Sequence, residues 1–362
     1  MTAAELERLA EELGIDVVGA ASAAAYEKTE RHIRDRRARG LFADMKFTMA
    51  QPEVSCHPET LLPNARTVVS AALSYYAPGP DDRPEQPRPV PGTGQAGHGE
   101  NGRCQAPDTA DGATGRLPRY TWSDRYAELR EKLDVLGRRL GGSYRVFVDA
   151  NQHVDRAGAA RSGVGFYGKN TMLITRTHGS WVVLGTLVTD AEIEPTQALD
   201  LDCGSCTLCI DACPTDALDE PGTLDATRCL SYWTQSPEPI PEPYRAALGD
   251  QVYGCDICQD VCPWNRGVER RRAADPLASG AEPHVSLIDW LEADDADLRV
   301  RYDRLYVPRN DSRYLRRNAL VALGNVGKAG AADLARAYAA GDDPLLRDHA
   351  EWALARIRAR GG

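Results

Sequence analysis

Eight of the ten cysteines in this 362-residue chain fall between positions 203 and 262, and their spacing is the most chemically specific feature of the sequence. The first four read Cys203-x2-Cys206-x2-Cys209-x3-Cys213-Pro214. Three thiolates at that spacing wrap one cube of iron and sulfide, while the fourth, held just before a proline, ligates a different cube in two-cluster ferredoxins. A second run, Cys255-x2-Cys258-x3-Cys262-Pro263, is one thiolate short of the pattern, and Cys229 supplies it. The crossing rule assigns Cys203, Cys206, Cys209 and Cys262 to one [4Fe–4S] cluster, and Cys213, Cys229, Cys255 and Cys258 to a second. Zinc also takes paired Cys-x2-Cys units, but its sites normally close at four ligands from two such pairs, and a triple run ending in Cys-Pro fits it poorly. A disulfide framework conflicts with the start MTAAELERLAEELG, which carries acids where a secretion signal carries bases and then an apolar run.

Two adjacent clusters pass electrons singly, so another part of the chain must hold the acceptor. Residues 1–198 alternate helical and extended patterns, which suggests an α/β layer. Residues 3–13 and 124–140 carry apolar stripes at helical spacing; 15–20, 67–74, 144–148, 172–175 and 181–189 read as strands. The run WVVLGTLVT is nearly all apolar and belongs mid-sheet. Residues 78–118 hold eight Pro and eight Gly in 41 positions and hardly any large apolar residue, which predicts a disordered insertion, with Cys104 a free surface thiol. The expected organisation is thus an α/β or α+β domain over 1–198, a ferredoxin-type two-cluster domain over 199–275 and helices over 276–362. Gly324, Gly327 and Gly341 punctuate the last part, and Leu315, Ala319 and Leu323 are echoed by Leu346, Ala350 and Leu354, in the manner of short HEAT-like repeats.

The cysteine region with its flanks, CGSCTLCIDACPTDAL, LDATRCLSY and YGCDICQDVCPWN, resembles the epoxyqueuosine reductase family. Upstream, Leu62–Arg66, Tyr75-Tyr76, Arg119-Tyr120, Tyr126 and the loop Gly163–Asn170 resemble further blocks of that family, so the likeness covers roughly 10–75 and 116–330. The resemblance implies an oxidoreductase that reduces the epoxide of epoxyqueuosine to queuosine at the tRNA wobble position. It also implies base-off cobalamin fed by two [4Fe–4S] clusters, a cobalamin domain similar to that of reductive dehalogenases, and C-terminal repeats that grip the tRNA.

By the same resemblance Asp149, after the strand YRVFV, is the proton donor. That role needs a pKa raised by burial under a corrin; a plain turn aspartate is the alternative. The stretch Ala150–Arg156 departs from the family, lacking its proline and carrying Asp155 for a glutamate, which opens the substrate to question. Gly165, Tyr167, Lys169 and Asn170 are candidate cobalamin contacts because glycines admit close approach of backbone to a flat ligand, and Ser231 is another by analogy. Cys56-His57 lacks the neighbours of a metal site, and His153 suits either a proton relay or a structural role.

The net charge of −10 argues against bulk coating of nucleic acid. A local basic stretch nonetheless appears: Arg299, Arg301, Arg304, Arg309, Arg313, Arg316 and Arg317 face only Asp303 and Asp311, with Tyr302, Tyr306 and Tyr314 interleaved. Such a stretch suits an RNA face of phosphate contacts and base stacking, or equally a solvated helix face with internal ion pairs. The expected setting is cytoplasmic, as a monomer, with tRNA and an unidentified low-potential electron donor as partners and no membrane. Two other readings stay open: a cobalamin-dependent reductase of a small molecule, such as a dehalogenase, and a non-catalytic ferredoxin-type carrier.

Overall fold

The computed structural model describes residues 1–45, 49–80, 113–150, 152–277 and 280–361. Most of the insertion, with Cys104, lies outside them, as does Asn151.

Eight strands occur among the described residues: β1 (Val17–Ser22), β2 (Thr67–Ser74), β3 (Thr114–Arg116), β4 (Tyr144–Val148), β5 (Phe166–Tyr167), β6 (Leu173–Ile174), β7 (Val182–Thr189) and β8 (His284–Ser286). Four of them form the main sheet in the order β1-β2-β7-β4. The apolar β7 sits mid-sheet, as its composition predicts. Every pairing in this sheet is antiparallel, so the architecture is α+β rather than a layer of parallel crossovers. Alternating helical and extended patterns in sequence do not specify strand direction; here β2 finds β7 across more than a hundred residues.

The alternation of side chains along β2 and β7 divides the core. Val69, Ala71, Leu73, Val183 and Leu187 join Leu6, Leu129, Leu133 and Leu136 on one face. Ala72, Val182 and Leu184 join Ala159, Val164 and Leu173 on the other. Burial on both faces explains why these strands read as almost unbroken apolar runs. Gly185 lets the helix Arg125–Leu140 press close, since a Cβ there would lie 2.5 Å from Leu133 Cδ1. Asp124 starts this helix by accepting the Ala127 N–H at 2.9 Å.

The end of the Pro/Gly-rich stretch is ordered: β3 pairs with β8, and Leu117 is buried. The boundary at 118 is therefore too late, because Gly115 and Leu117 have packing partners distant in sequence. Short helices carry the cysteine region, among them Leu208–Asp211, Leu230–Gln235, Ile257–Asp260 and Pro263–Arg271. At the C-terminus, Arg313–Val326 packs against Pro344–Gly361, with Ala332–Ala339 beside the latter. Gly324 does not break a helix: it lies inside Arg313–Val326, where a Cβ would meet the Ala353 Cα at 2.8 Å. It marks a helix crossing. No helix among the described residues is long and apolar enough to cross a membrane.

Candidate active site

Folding brings cysteines distant in sequence close together. Burial lifts the Cys209 thiol to about 11, and the neighbours adding to that rise are Cys262, Cys203 and Cys206. Burial likewise raises Cys229, Cys255 and Cys258; Cys213 acts on Cys229, Cys229 and Cys213 act on Cys255, and Cys255 and Cys229 act on Cys258. Cys209 also acts on Cys258, so the two sets approach each other there. The nine cysteines among the described residues are all free thiols.

The donor chemistry fits iron–sulfur cubes. Cys203, Cys206, Cys209 and Cys262 line a cavity of about 380 Å³ together with Lys169 and Trp264. The thiols surround space instead of converging on a point: among the described residues, no three His, Cys, Asp or Glu groups stand close enough for a single ion. Backbone N–H groups are aimed at the sulfurs. Lys169 N–H donates to Cys203 Sγ at 3.4 Å and Ala217 N–H to Cys213 Sγ at 3.3 Å. Ser231 and Tyr232 N–H groups turn toward Cys229, and those of Trp264 and Asn265 toward Cys262. Such bonds tune a cluster's potential. Gly254, at φ +57°, makes the turn into Cys255, where a Cβ would strike the Pro118 ring at 2.7 Å.

The crossing is directly testable. The double variant Cys209→Ser/Cys262→Ser should hold about four irons per chain, one cluster surviving. Cys209→Ser/Cys213→Ser, although its two sites are only four residues apart, should lose both clusters. Iron analysis and the EPR spectrum of the reduced protein decide it; equal iron in the two variants would overturn the assignment.

A group of titratable side chains gathers around Asp149, which acts on Tyr253, two residues before Cys255. Asp149, at the end of β4, has the left-handed φ of +48° and is exposed. Its carboxyl is nevertheless raised above the usual range, first by partial loss of water and then by Asp155, with Arg130 opposing. Tyr167 combines the same two properties: 47% of its surface is accessible, yet desolvation drives its phenol well up. Asp149 and Asp155 act on the Tyr126 phenol, and Asp149 on that of Tyr253, so these residues are neighbours. Arg156 and Arg36 stand beside Tyr167, and Arg36 Nε is buried with no hydrogen-bond partner among the described residues. Arg119 stacks 5.0–5.4 Å from the Tyr76, Trp122 and Trp181 rings, and its backbone N–H donates to Asp256 Oδ2 at 2.8 Å.

Lys169 and Asn170 serve the cysteine loops. Lys169 Nζ donates to the Gly204 and Cys206 carbonyls at 2.7 and 2.9 Å, and Asn170 Nδ2 to the Cys258 carbonyl at 3.3 Å. Gly165 is required by packing within the β5–β6 hairpin, since a Cβ would meet the Ile174 carbonyl at 2.7 Å. Their spacing alone offered no way to tell a cluster loop from a corrin. Ser231 is half-buried; its backbone faces Cys229 and its Oγ accepts from Gln235 Nε2 at 3.2 Å. Tyr253, which neighbours Asp149, and Asp256, which accepts from the Arg119 backbone, were not singled out from sequence; each flanks Cys255 within two positions, which was the available signal.

Residues 202–265 match the family described as a 4Fe-4S double cluster binding domain. The epoxyqueuosine reductase of Lactococcus garvieae (strain Lg2) is 31% identical over 360 residues, covering 98% of this chain and 95% of that protein. That of Xanthomonas campestris pv. campestris is 32% identical over 365 residues, covering 98% and 96%. The chain belongs to the epoxyqueuosine reductase family. It is accordingly an oxidoreductase with iron–sulfur centres. A crystal structure of epoxyqueuosine reductase with an epoxyqueuosine-modified tRNA-Tyr stem loop superposes with a TM-score of 0.81 at 30% identity, covering 98% of this chain and 89% of that one. A Bacillus subtilis epoxyqueuosine reductase, whose aspartate-bearing catalytic loop is swung out of the active site, gives the same score and identity, covering 98% and 90%.

Against this epoxyqueuosine reductase framework the basic stretch reads differently from its sequence. Arg301 and Arg304 pair with Glu282, Arg313 with Asp311 and Asp343, and Arg316 with Asp295. Arg299 Nε donates to the Asp295 carbonyl at 2.9 Å. Arg317 is fully buried, as is Tyr302, and Tyr314 nearly so. Only Arg309 and Tyr306 of this stretch are presented outward without a side-chain partner among the described residues. His153 is buried, its ring 5.4 Å from that of Tyr26, and desolvation lowers its pKa to about 4, so it is a neutral core residue and no relay. His57 bridges Glu30 and Glu59 at 3.0 and 3.1 Å, and Cys56 is a buried thiol raised by desolvation to about 11.

Proposed function

We propose that this chain reduces the epoxide of epoxyqueuosine to the alkene of queuosine in tRNA, with base-off cobalamin beside Asp149 and two [4Fe–4S] clusters as its electron supply. The observation that carries the reading is the place of Asp149, whose raised carboxyl neighbours Tyr253 two residues before Cys255, in a chain with cysteines spaced for two clusters. Near-full-length likeness to epoxyqueuosine reductases supports it. The overall change takes up two electrons and two protons and releases the epoxide oxygen as water.

The accessible but crowded Tyr167 face, with the guanidinium groups of Arg36 and Arg156 beside it, suits a large flat ligand carrying amide and phosphate groups. Cobalamin, when bound, supplies an electron-rich cobalt that can attack or reduce a strained carbon–oxygen bond. Asp149 then has the proton-donor role. Its raised pKa keeps more of the carboxyl protonated than in water, ready to protonate the oxygen as the C–O bond opens. Asp155 assists, because a second acid nearby disfavours two simultaneous negative charges. Tyr126 and Tyr253, kept neutral by burial, wall the space and limit water around the reacting bond. We read residues 1–198 as the cobalamin domain, 199–275 as the electron-delivery domain and 276–362 as HEAT-like helices facing the RNA.

The full chain, reconstituted without oxygen with iron, sulfide and cobalamin and supplied with a low-potential reductant, should convert epoxyqueuosine-tRNA to queuosine-tRNA, scored by nucleoside mass spectrometry. Cobalamin binding with reduction of a halogenated phenol and no tRNA conversion would favour the small-molecule reading. Clusters with no cobalamin affinity would leave the electron-carrier reading.

A further inference from the structure

We infer that Tyr306 and Arg309 form the RNA-contacting lip of the site, Tyr306 stacking on an unpaired base of the anticodon loop and Arg309 holding a neighbouring phosphate. The inference rests on the tRNA reading above and names the residues that would recognise the RNA. Tyr306 is 61% exposed, whereas the other two tyrosines of the basic stretch are buried at 1% and 9%. It is also tied to the Asp149 neighbourhood, since Tyr253 Oη donates to the Tyr306 carbonyl at 2.9 Å and Asp149 acts on the Tyr253 phenol. An aromatic face held beside Tyr253 can stack on a base adjoining the one delivered to Asp149, as recognition of single-stranded RNA loops requires.

Arg309 supplies the second half. It is exposed and, unlike Arg301, Arg304, Arg313 and Arg316, has no carboxylate partner among the described residues. Its φ is +59° and that of Asn310 is +51°. Asparagine tolerates that region, but arginine gains nothing from it locally. The turn Pro308–Asn310 thus presents a guanidinium without a carboxylate partner among the described residues, three residues beyond an exposed aromatic ring, in a chain whose net charge is −10. A single-stranded RNA loop offers both a π face and a phosphate at that scale.

The test uses the anaerobically reconstituted full chain and a fluorescein-labelled anticodon stem loop carrying epoxyqueuosine, with Kd read by anisotropy across a series of KCl concentrations. Tyr306→Ala should weaken binding about tenfold or more at every salt concentration, and Tyr306→Phe should restore it. Arg309→Gly should lower the slope of log K against log salt by about 0.7–0.9, as loss of one phosphate contact does. Because glycine suits a positive φ, the same variant should melt no lower than the parent, which separates lost recognition from lost fold. Binding by Tyr306→Ala within twofold of the parent, in material that converts epoxyqueuosine-tRNA, overturns this inference alone. Failure of the parent chain to bind or convert the modified RNA overturns the tRNA reading and this inference with it.

Discussion

Asp149→Asn should lower turnover of epoxyqueuosine-tRNA by about 10²–10⁴-fold, the range for loss of a positioned general acid, with iron and cobalamin content unchanged. Asparagine is the informative replacement because Asp149 has a φ of +48°, a conformation that asparagine adopts readily and alanine does not. Charge and proton are removed while the turn survives. The sign of the pH dependence follows from the same group. The protonated carboxyl is the active form, and desolvation and Asp155 move its pKa upward. The parent rate should therefore hold at low pH and fall as pH rises through that raised pKa, while the residual rate of Asp149→Asn should lack this limb. Asp155→Asn, which removes the neighbouring negative charge, should shift the limb to lower pH. Retention of full activity by Asp149→Asn would remove the proton-donor assignment.

Arg317→Ala should destabilise the chain by about 3–5 kcal/mol, with a fall in melting temperature on the order of 10 °C, and leave the salt dependence of RNA binding untouched. Arg317 is wholly buried inside the helix Arg313–Val326. Its Nη1 donates to the Ser236 and Glu238 carbonyls at 2.7 and 2.6 Å and its Nη2 to the Trp233 carbonyl at 2.9 Å. Asn318 continues the seam, donating to the Thr234 and Val252 carbonyls at 2.8 and 2.9 Å. These carbonyls belong to the segments that follow Cys229 and precede Cys255, so the seam fastens the C-terminal helices to the second set of thiols. Removing the guanidinium leaves the buried Ser236 carbonyl and the part-buried Glu238 and Trp233 carbonyls short of donors, a buried acceptor costing about 1–3 kcal/mol. Arg317→Lys should recover little, since an ammonium lacks the planar fork that reaches several carbonyls at once. A stable Arg317→Ala chain with a reduced salt slope would mean that the side chain faces RNA after all. Burial lowers the pKa of this guanidinium only to about 9, so it stays charged near neutral pH.

How legible each feature was depends on whether its cause is local. The cluster ligands could be read from sequence because Cys-x2-Cys spacing limits which sulfurs can reach one cube; in the fold Cys203 acts on Cys262 and Cys213 on Cys255, as neighbours would. The strands Thr67–Ser74 and Tyr144–Val148 and the helix beginning after Asp124 were readable from side-chain periodicity. The direction of strand pairing was not, because β2 and β7 carry no local mark of which way they will meet.

The site divides along the same line. The sequence by itself offered eight cysteines spaced for two clusters, the likeness to epoxyqueuosine reductases and Asp149 as the acid to examine. Only the tertiary structure decided that Lys169 and Asn170 hold the cysteine loops, that most arginines of 299–317 are spent on internal partners, and that Arg317 is a buried seam while Tyr306 and Arg309 remain presented. A guanidinium looks the same in sequence whether it meets water, a carboxylate or a buried carbonyl. Its role is set by which distant backbone comes within about 3 Å of it, a property of the packed chain and of no stretch within it.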